Sequence, residues 1–164
     1  MTEQADILFV PTRLIRVDRE PHRLIETCYD PSRGDGAHRY QYAAMSYCWG
    51  SPEQAISQLK TEKSTLSSRL SSIEEREMTR VLRDAVKTCH SLSIPCLWID
   101  ALCIIQDVKQ DWEQESSMLD RIFSNSYLTI VVVSSESCNK SFLSHETAKL
   151  EVPWIIRFQR CARR

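Results

Sequence analysis

The chain has 164 residues, 42% of them hydrophobic and 26% charged, a length and composition suited to a single globular core. Twenty-one basic against twenty-two acidic residues leave a formal charge of −1, so no global field draws polyanions, and nucleic acid is excluded as an expected partner. The three glycines, Gly34, Gly36 and Gly50, do not have the spacing of a dinucleotide fingerprint or a Walker A loop.

In chain order, residues 7–29 alternate short apolar and polar groups about a turn at Glu20-Pro21-His22, which predicts an N-terminal β hairpin. A loop follows at Pro31 to Gly36. Tyr42 to Cys48 is short and largely apolar, as in a strand covered on both faces, and Trp49-Gly50-Ser51-Pro52 stops it. Residues 53–78 are Ser-rich with sparse apolar positions and predict an exposed, partly helical insertion. Thr79 is a candidate N-cap, after which Leu82, Ala85, Val86, Cys89 and Leu92 form the stripe of an amphipathic helix that must end before Pro95.

Cys96 to Asp100 predicts a buried strand ended by one acid. Asp111 with Gln114 resembles a capping box that opens a helix to about Ser126, with Trp112, Leu119, Ile122 and Phe123 on its packed face. Tyr127 to Val133 is continuous and β-branched, the composition of a central parallel strand. This β-α-β-α-β order needs helical crossovers, so the expected fold is α/β: a small parallel-sheet core with flanking helices plus the N-terminal β hairpin. Residues 146–164 form a basic tail, with Val152, Trp154, Ile155, Ile156 and Phe158 among four arginines; it reads as a strand, an amphipathic tail or an unfinished element.

Seven cysteines, an odd number and several in apolar runs, suggest reduced thiols and a cytoplasmic chain. No apolar run is long enough for a signal peptide or a membrane span. Cys89-His90, Cys96 and Cys103 lack a Cys-x-x-Cys pair, so no metal site is expected, and no cofactor either. Cys48 is expected to be a buried structural thiol, since no histidine falls at another strand end.

Ligands in open α/β sheets bind beyond the carboxyl ends of strands. Here those ends bring together Tyr47-Cys48-Trp49-Gly50, Asp100 and Ser134-Ser135-Glu136. An acid beside an aromatic pair is a ligand site in outline; otherwise Asp100 caps a turn and the aromatics are core. For Trp112 and Glu115, three apart on one helix, core packing and a surface or capping role are the plain readings.

Pro11 to Ile15, Tyr42-Ala43-Ala44-Met45-Ser46-Tyr47-Cys48-Trp49-Gly50, Leu97 to Asp107, and Asp111-Trp112 with Glu115, Ser116 and Met118 together resemble the fungal heterokaryon-incompatibility (HET) domain. The resemblance covers about residues 8–145 of one domain spanning 1–164. It implies a cytoplasmic fungal module that triggers programmed cell death on non-self recognition, with a flavodoxin-like core distantly similar to the TIR domain. TIR-like domains hydrolyse NAD+, which the resemblance makes a candidate substrate. In that reading Asp100 and Glu115 are the catalytic carboxyls, Tyr47 and Trp49 wall the leaving ring, and Ser46 and Ser134 bind ribose.

The family's Trp-x-x-Gln-Glu block, comparable to the TIR catalytic glutamate, is not matched at Trp154-Ile155-Ile156-Arg157-Phe158-Gln159. This implies a C-terminally truncated relative. The alternative is a non-enzymatic adaptor or decoy that self-associates or docks on other HET-domain or receptor proteins, with no membrane partner.

Overall fold

The computed structural model describes residues 9–27, 40–132 and 137–143. Five strands form one sheet: β1 (Arg13–Arg16), β2 (Arg23–Glu26), β3 (Tyr42–Ser46), β4 (Cys96–Trp98) and β5 (Leu128–Val131), in the order β2-β1-β4-β3-β5. β1 and β2 are the expected hairpin, with Leu14 opposite Ile25. β1 also runs antiparallel to β4, pairing Ile15 with Leu97, and so seals one side of the parallel unit. β3 is parallel to both β4 and β5, with Ala43 opposite Leu97 and Leu128. The α/β architecture with a parallel core and an N-terminal hairpin is therefore as its sequence implies.

β5 differs from expectation in its place. Among the described residues it lies at the sheet edge, with Val131 half exposed and Tyr127 just before it exposed. The central parallel strand is β3, whose small Ala43 and Ala44 are fully buried. Two alanines there let layers approach on both faces, whereas β-branched residues suit a strand anywhere in a sheet.

The helices are α1 (Pro52–Ala55), α2 (Leu66–Ser71), α3 (Arg80–Ser91), α4 (Asp100–Cys103), α5 (Lys109–Ser117) and α6 (Leu119–Ser124), with a 3-10 turn at Glu75–Glu77. α3 forms as predicted: the Thr79 side chain accepts from the Leu82 N–H, and Val81, Leu82, Ala85, Val86 and Cys89 are buried. It closes in a Schellman motif. Ser93 takes φ 56°, its N–H donates to the His90 carbonyl, and the Ile94 N–H donates to the Cys89 carbonyl.

Residues 53–78 are partly helical and more than half of them are exposed, as expected, but buried anchors pin the segment to the core. Leu59, Thr61, Ile73 and Met78 are buried. The Ile73 N–H donates to the His22 carbonyl, and the Thr61 Oγ1 hydroxyl donates to the Leu102 carbonyl at 2.7 Å. Sparse apolar anchors at irregular spacings, all joining one core, carry no periodicity for a sequence reading to detect.

The predicted helix over 111–126 is two helices broken at Met118. Asp111 is no N-cap, because α5 starts at Lys109 and the Asp111 carboxylate binds Arg13 instead. The break also takes Trp112 off the packed face, and it is half exposed. α6 keeps the expected contacts: Ile122 is buried, and Phe123 meets Trp98 edge to face at 5.8 Å. The Tyr42 hydroxyl donates to the Ile122 carbonyl at 2.7 Å. Tyr42→Phe is expected to cost about 1 kcal/mol in urea unfolding, the net worth of one buried hydrogen bond plus an orphaned carbonyl.

Candidate functional site

A cleft of about 440 Å³ opens beyond the carboxyl ends of β3 and β4. Met45 and Ser46 line it from β3 with Tyr47 and Trp49 just beyond, Trp98 from β4, Asp100 from the start of α4, and Trp112, Leu119 and Phe123 from α5 and α6. Side chains alternate past the end of β3, with Ser46 and Cys48 exposed and Tyr47 and Trp49 half-buried, and of these four only Cys48 stays off the cleft. Cys48 is thus a surface thiol, which corrects the buried one expected. Among the described residues Cys89, Cys96, Cys103 and Cys138 are buried free thiols, and burial pushes Cys96 up to about 11 and Cys89 up to about 12.

The turn that aims Trp49 depends on Gly50. Its φ is +95°, and a Cβ there would meet the Ser137 Cβ at 2.8 Å and the Gln54 Oε1 at 2.3 Å. Ser51 and Gln54 form a capping box directly behind it, with Pro52 in the first helical turn of α1. The Cys138 Sγ, packed beside this turn, donates to the Gln54 carbonyl at 3.6 Å. Gly50→Ala is expected to lower stability by about 1–3 kcal/mol, read as a fall in thermal midpoint, because backbone strain and the Ser137 contact add.

Asp100 begins α4, and its Oδ1 accepts from the Ala101 N–H at 2.7 Å. Burial pushes the Asp100 carboxyl above the usual aspartate range, while the Ala101 N–H and the Trp49 indole N–H act the other way. The Tyr47 hydroxyl is buried with no hydrogen-bond partner; burial first, then the Asp100 charge, pushes it up strongly. The Trp98 Nε1 is a second buried donor with no partner, and it too belongs to a side chain lining the cleft. The Lys60 Nζ stands 5.5 Å from the centre of the Trp49 ring. The cleft therefore offers one restrained carboxyl and three tryptophans, with two unpaired donors buried in its walls, to a ligand with a flat ring and polar substituents.

Glu115, expected as a functional position with Asp100, lies elsewhere. It is the one residue of α5 that is buried, at 1% exposure, and it does not line the cleft. Its nearest counter-charge is the Arg13 Nη2 at 3.9 Å. Arg13 is itself buried; its Nε donates to the Cys103 carbonyl at 2.7 Å and its Nη2 donates to the Asp111 Oδ1 at 2.6 Å. The second Asp111 oxygen also accepts from the Ile105 N–H at 2.8 Å.

Burial pushes the Glu115 carboxyl up against the pull of Thr12 and Arg13, although Thr12 is placed too poorly for a full hydrogen bond. This cluster ties β1 to α4 and α5. Its signal in the sequence was weak, because an Arg in a strand and two acids four apart on a helix are usually solvated.

Ser134 and Glu136 lie outside the described residues, as do Trp154 and the rest of the basic tail. Among the described residues no three His, Cys, Asp or Glu side chains converge as a metal site, and no helix is long and apolar enough to cross a membrane. The sequence blocks that build the cleft, from Tyr42 onward, fall within a family match. The model of the heterokaryon incompatibility protein (HET) family matches residues 42–162. The chain belongs to the HET family. No curated protein and no solved structure matches it. In the HET domain the matched span covers β3 to β5 and the whole cleft, while the β1–β2 hairpin that seals the sheet precedes it.

Proposed function

We propose that this HET domain cleaves NAD+ at the nicotinamide–ribose bond and acts through that loss in fungal non-self recognition and cell death. The observation that carries the reading is the restrained Asp100 carboxyl in a cleft walled by Tyr47, Trp49, Trp98 and Trp112. The bond breaks with its electron pair leaving on nicotinamide, so positive charge develops on the ribose ring, and water then adds and releases a proton. The products are ADP-ribose and neutral nicotinamide. A carboxylate facing the ribose stabilises the developing charge, and a leaving group that departs neutral needs no acid.

One carboxyl suffices for this chemistry, which accords with the position of Glu115 outside the cleft. Ser46 at the rim is suited to a ribose hydroxyl, and Lys60 beside Trp49 to the diphosphate. The setting proposed is the cytoplasm, with other HET-domain or receptor proteins, including further copies of this chain, as partners.

The test incubates the purified full chain with NAD+ over a range of protein concentrations and follows nicotinamide and ADP-ribose by chromatography. Release of both in equal amounts by the wild type, and not by Asp100→Asn, is the expected result. No release at any concentration overturns the enzymatic reading in favour of a non-enzymatic docking module.

A further inference from the structure

A second cleft, of about 180 Å³, shares no residue with the first. Arg83, Lys87 and His90 come to it from α3, His22 from the position before β2, Glu20 from the hairpin turn and Glu75 from the 3-10 turn, the last two at its rim. On α3 the spacings of four and three put Arg83, Lys87 and His90 on one face. His22 is 94% buried by its 6% exposure, and its ring lies 5.7 Å from that of His90.

Two nitrogens here are unsatisfied. The His22 Nδ1 and the Arg83 Nε are buried, and neither has a hydrogen-bond partner. The His90 Nε2, in contrast, is bonded to the Val17 carbonyl. A guanidinium Nε–H is always a donor, and a buried donor left unpaired costs about 1–3 kcal/mol. The carboxylates of Glu20 and Glu75 are exposed at the rim, where water solvates them. An unpaired guanidinium donor and an unpaired imidazole nitrogen inside, with solvated acids outside, select an acceptor-rich group for the interior. Met78 and Val86, both buried, give the cleft an apolar floor that limits competing water.

We propose that this second cleft is a binding site for a small oxyanion, a phosphate or carboxylate group, held by Arg83, His22 and Lys87. It is independent of NAD+ cleavage, since none of its residues touches the Asp100 cleft. The Glu20 and Glu75 rim suits a ligand that carries hydroxyl or ammonium groups beside the anion.

The experiment titrates the full-length protein with inorganic phosphate, and separately with acetate, at constant ionic strength, and follows the histidine ring resonances. His22→Gln assigns the His22 signal. Saturable shifts of His22 and His90 with phosphate assign a phosphoryl site; shifts with acetate alone assign a carboxylate site. In Arg83→Gln the apparent affinity is expected to fall about tenfold or more, since a hydrogen bond to a charged group is lost. Should that variant fail to fold, Lys87→Gln, at an exposed position of α3, carries the same comparison. Shifts that track sodium chloride equally, or the same response in the wild type and the folded variants, overturn the proposal, as does no response to either anion.

Discussion

Asp100→Asn is expected to slow NAD+ cleavage by about 10²–10³-fold, the usual cost of removing one group aimed at transition-state charge. It is expected to leave the thermal midpoint unchanged or higher. Asparagine still presents an oxygen to the Ala101 N–H, so the start of α4 keeps its partner. The stability sign follows from linkage. Burial raises the Asp100 pKa in the folded state, so between the unfolded and folded values the native chain binds more protons than the unfolded one. Stability then falls as pH rises through that window, and above it the ionised side chain is a net burden that asparagine removes.

Activity runs in the opposite direction, because the carboxylate is the working form. Cleavage should decline as pH drops through the raised pKa, on the alkaline side of the ordinary aspartate value of about 3.9. A rate that holds level down to that value, or a midpoint that falls with the activity, would make Asp100 a turn residue. The plain sequence reading of Asp100 as a cap would then stand.

Arg13→Met is expected to destabilise the domain by about 3–5 kcal/mol, because it strands two acids that share one buried cation. Asp111 loses the partner of its Oδ1, Glu115 loses its nearest counter-charge, and the Cys103 carbonyl loses its donor. Methionine fills much of the same volume, so the loss is electrostatic rather than a cavity. The Glu115 carboxyl, already raised by burial, rises further once the Arg13 charge is gone. Its folded pKa then lies further above the unfolded one than in the wild type, and the variant loses stability as pH rises through that interval.

Urea unfolding at pH 5 and pH 7.5 reads this directly: the deficit should be smaller at the lower pH. Adding Glu115→Gln to the variant should recover part of it at the higher pH. Equal deficits at both pH values would show that packing, and not charge, is what Arg13 contributes.

The parts legible in the sequence share one property: a local pattern set them. The stripe and N-cap of α3, the hairpin around Glu20 to His22, and the short apolar runs of β3 and β4 follow from neighbours along the chain. The adjacency of Tyr47, Trp49 and Asp100 was legible because parallel strands joined by crossovers place their carboxyl ends at one edge. The exposure of Trp112 is not legible because a single hydrophobic period over 111–126 assumes one continuous helix, and the helix breaks at Met118. The anchoring of residues 53–78 is not legible in the sequence because Leu59, Ile73 and Met78 join the core at irregular spacings, which leave no period to find.

By itself, then, the sequence determined the strands, the crossover order and the strand ends that converge on the cleft. Only the tertiary structure decided that β5 lies at the edge among the described residues, that Cys48 faces solvent, and that Glu115 answers to Arg13 rather than joining Asp100. The physical reason is range. Backbone propensity and side-chain alternation act over a few residues, whereas the partner of a buried charge is chosen across the fold; Arg13 and Asp111 are 98 positions apart. Desolvation makes that choice binding, because an acid taken out of water must settle beside whatever cation the packing brings.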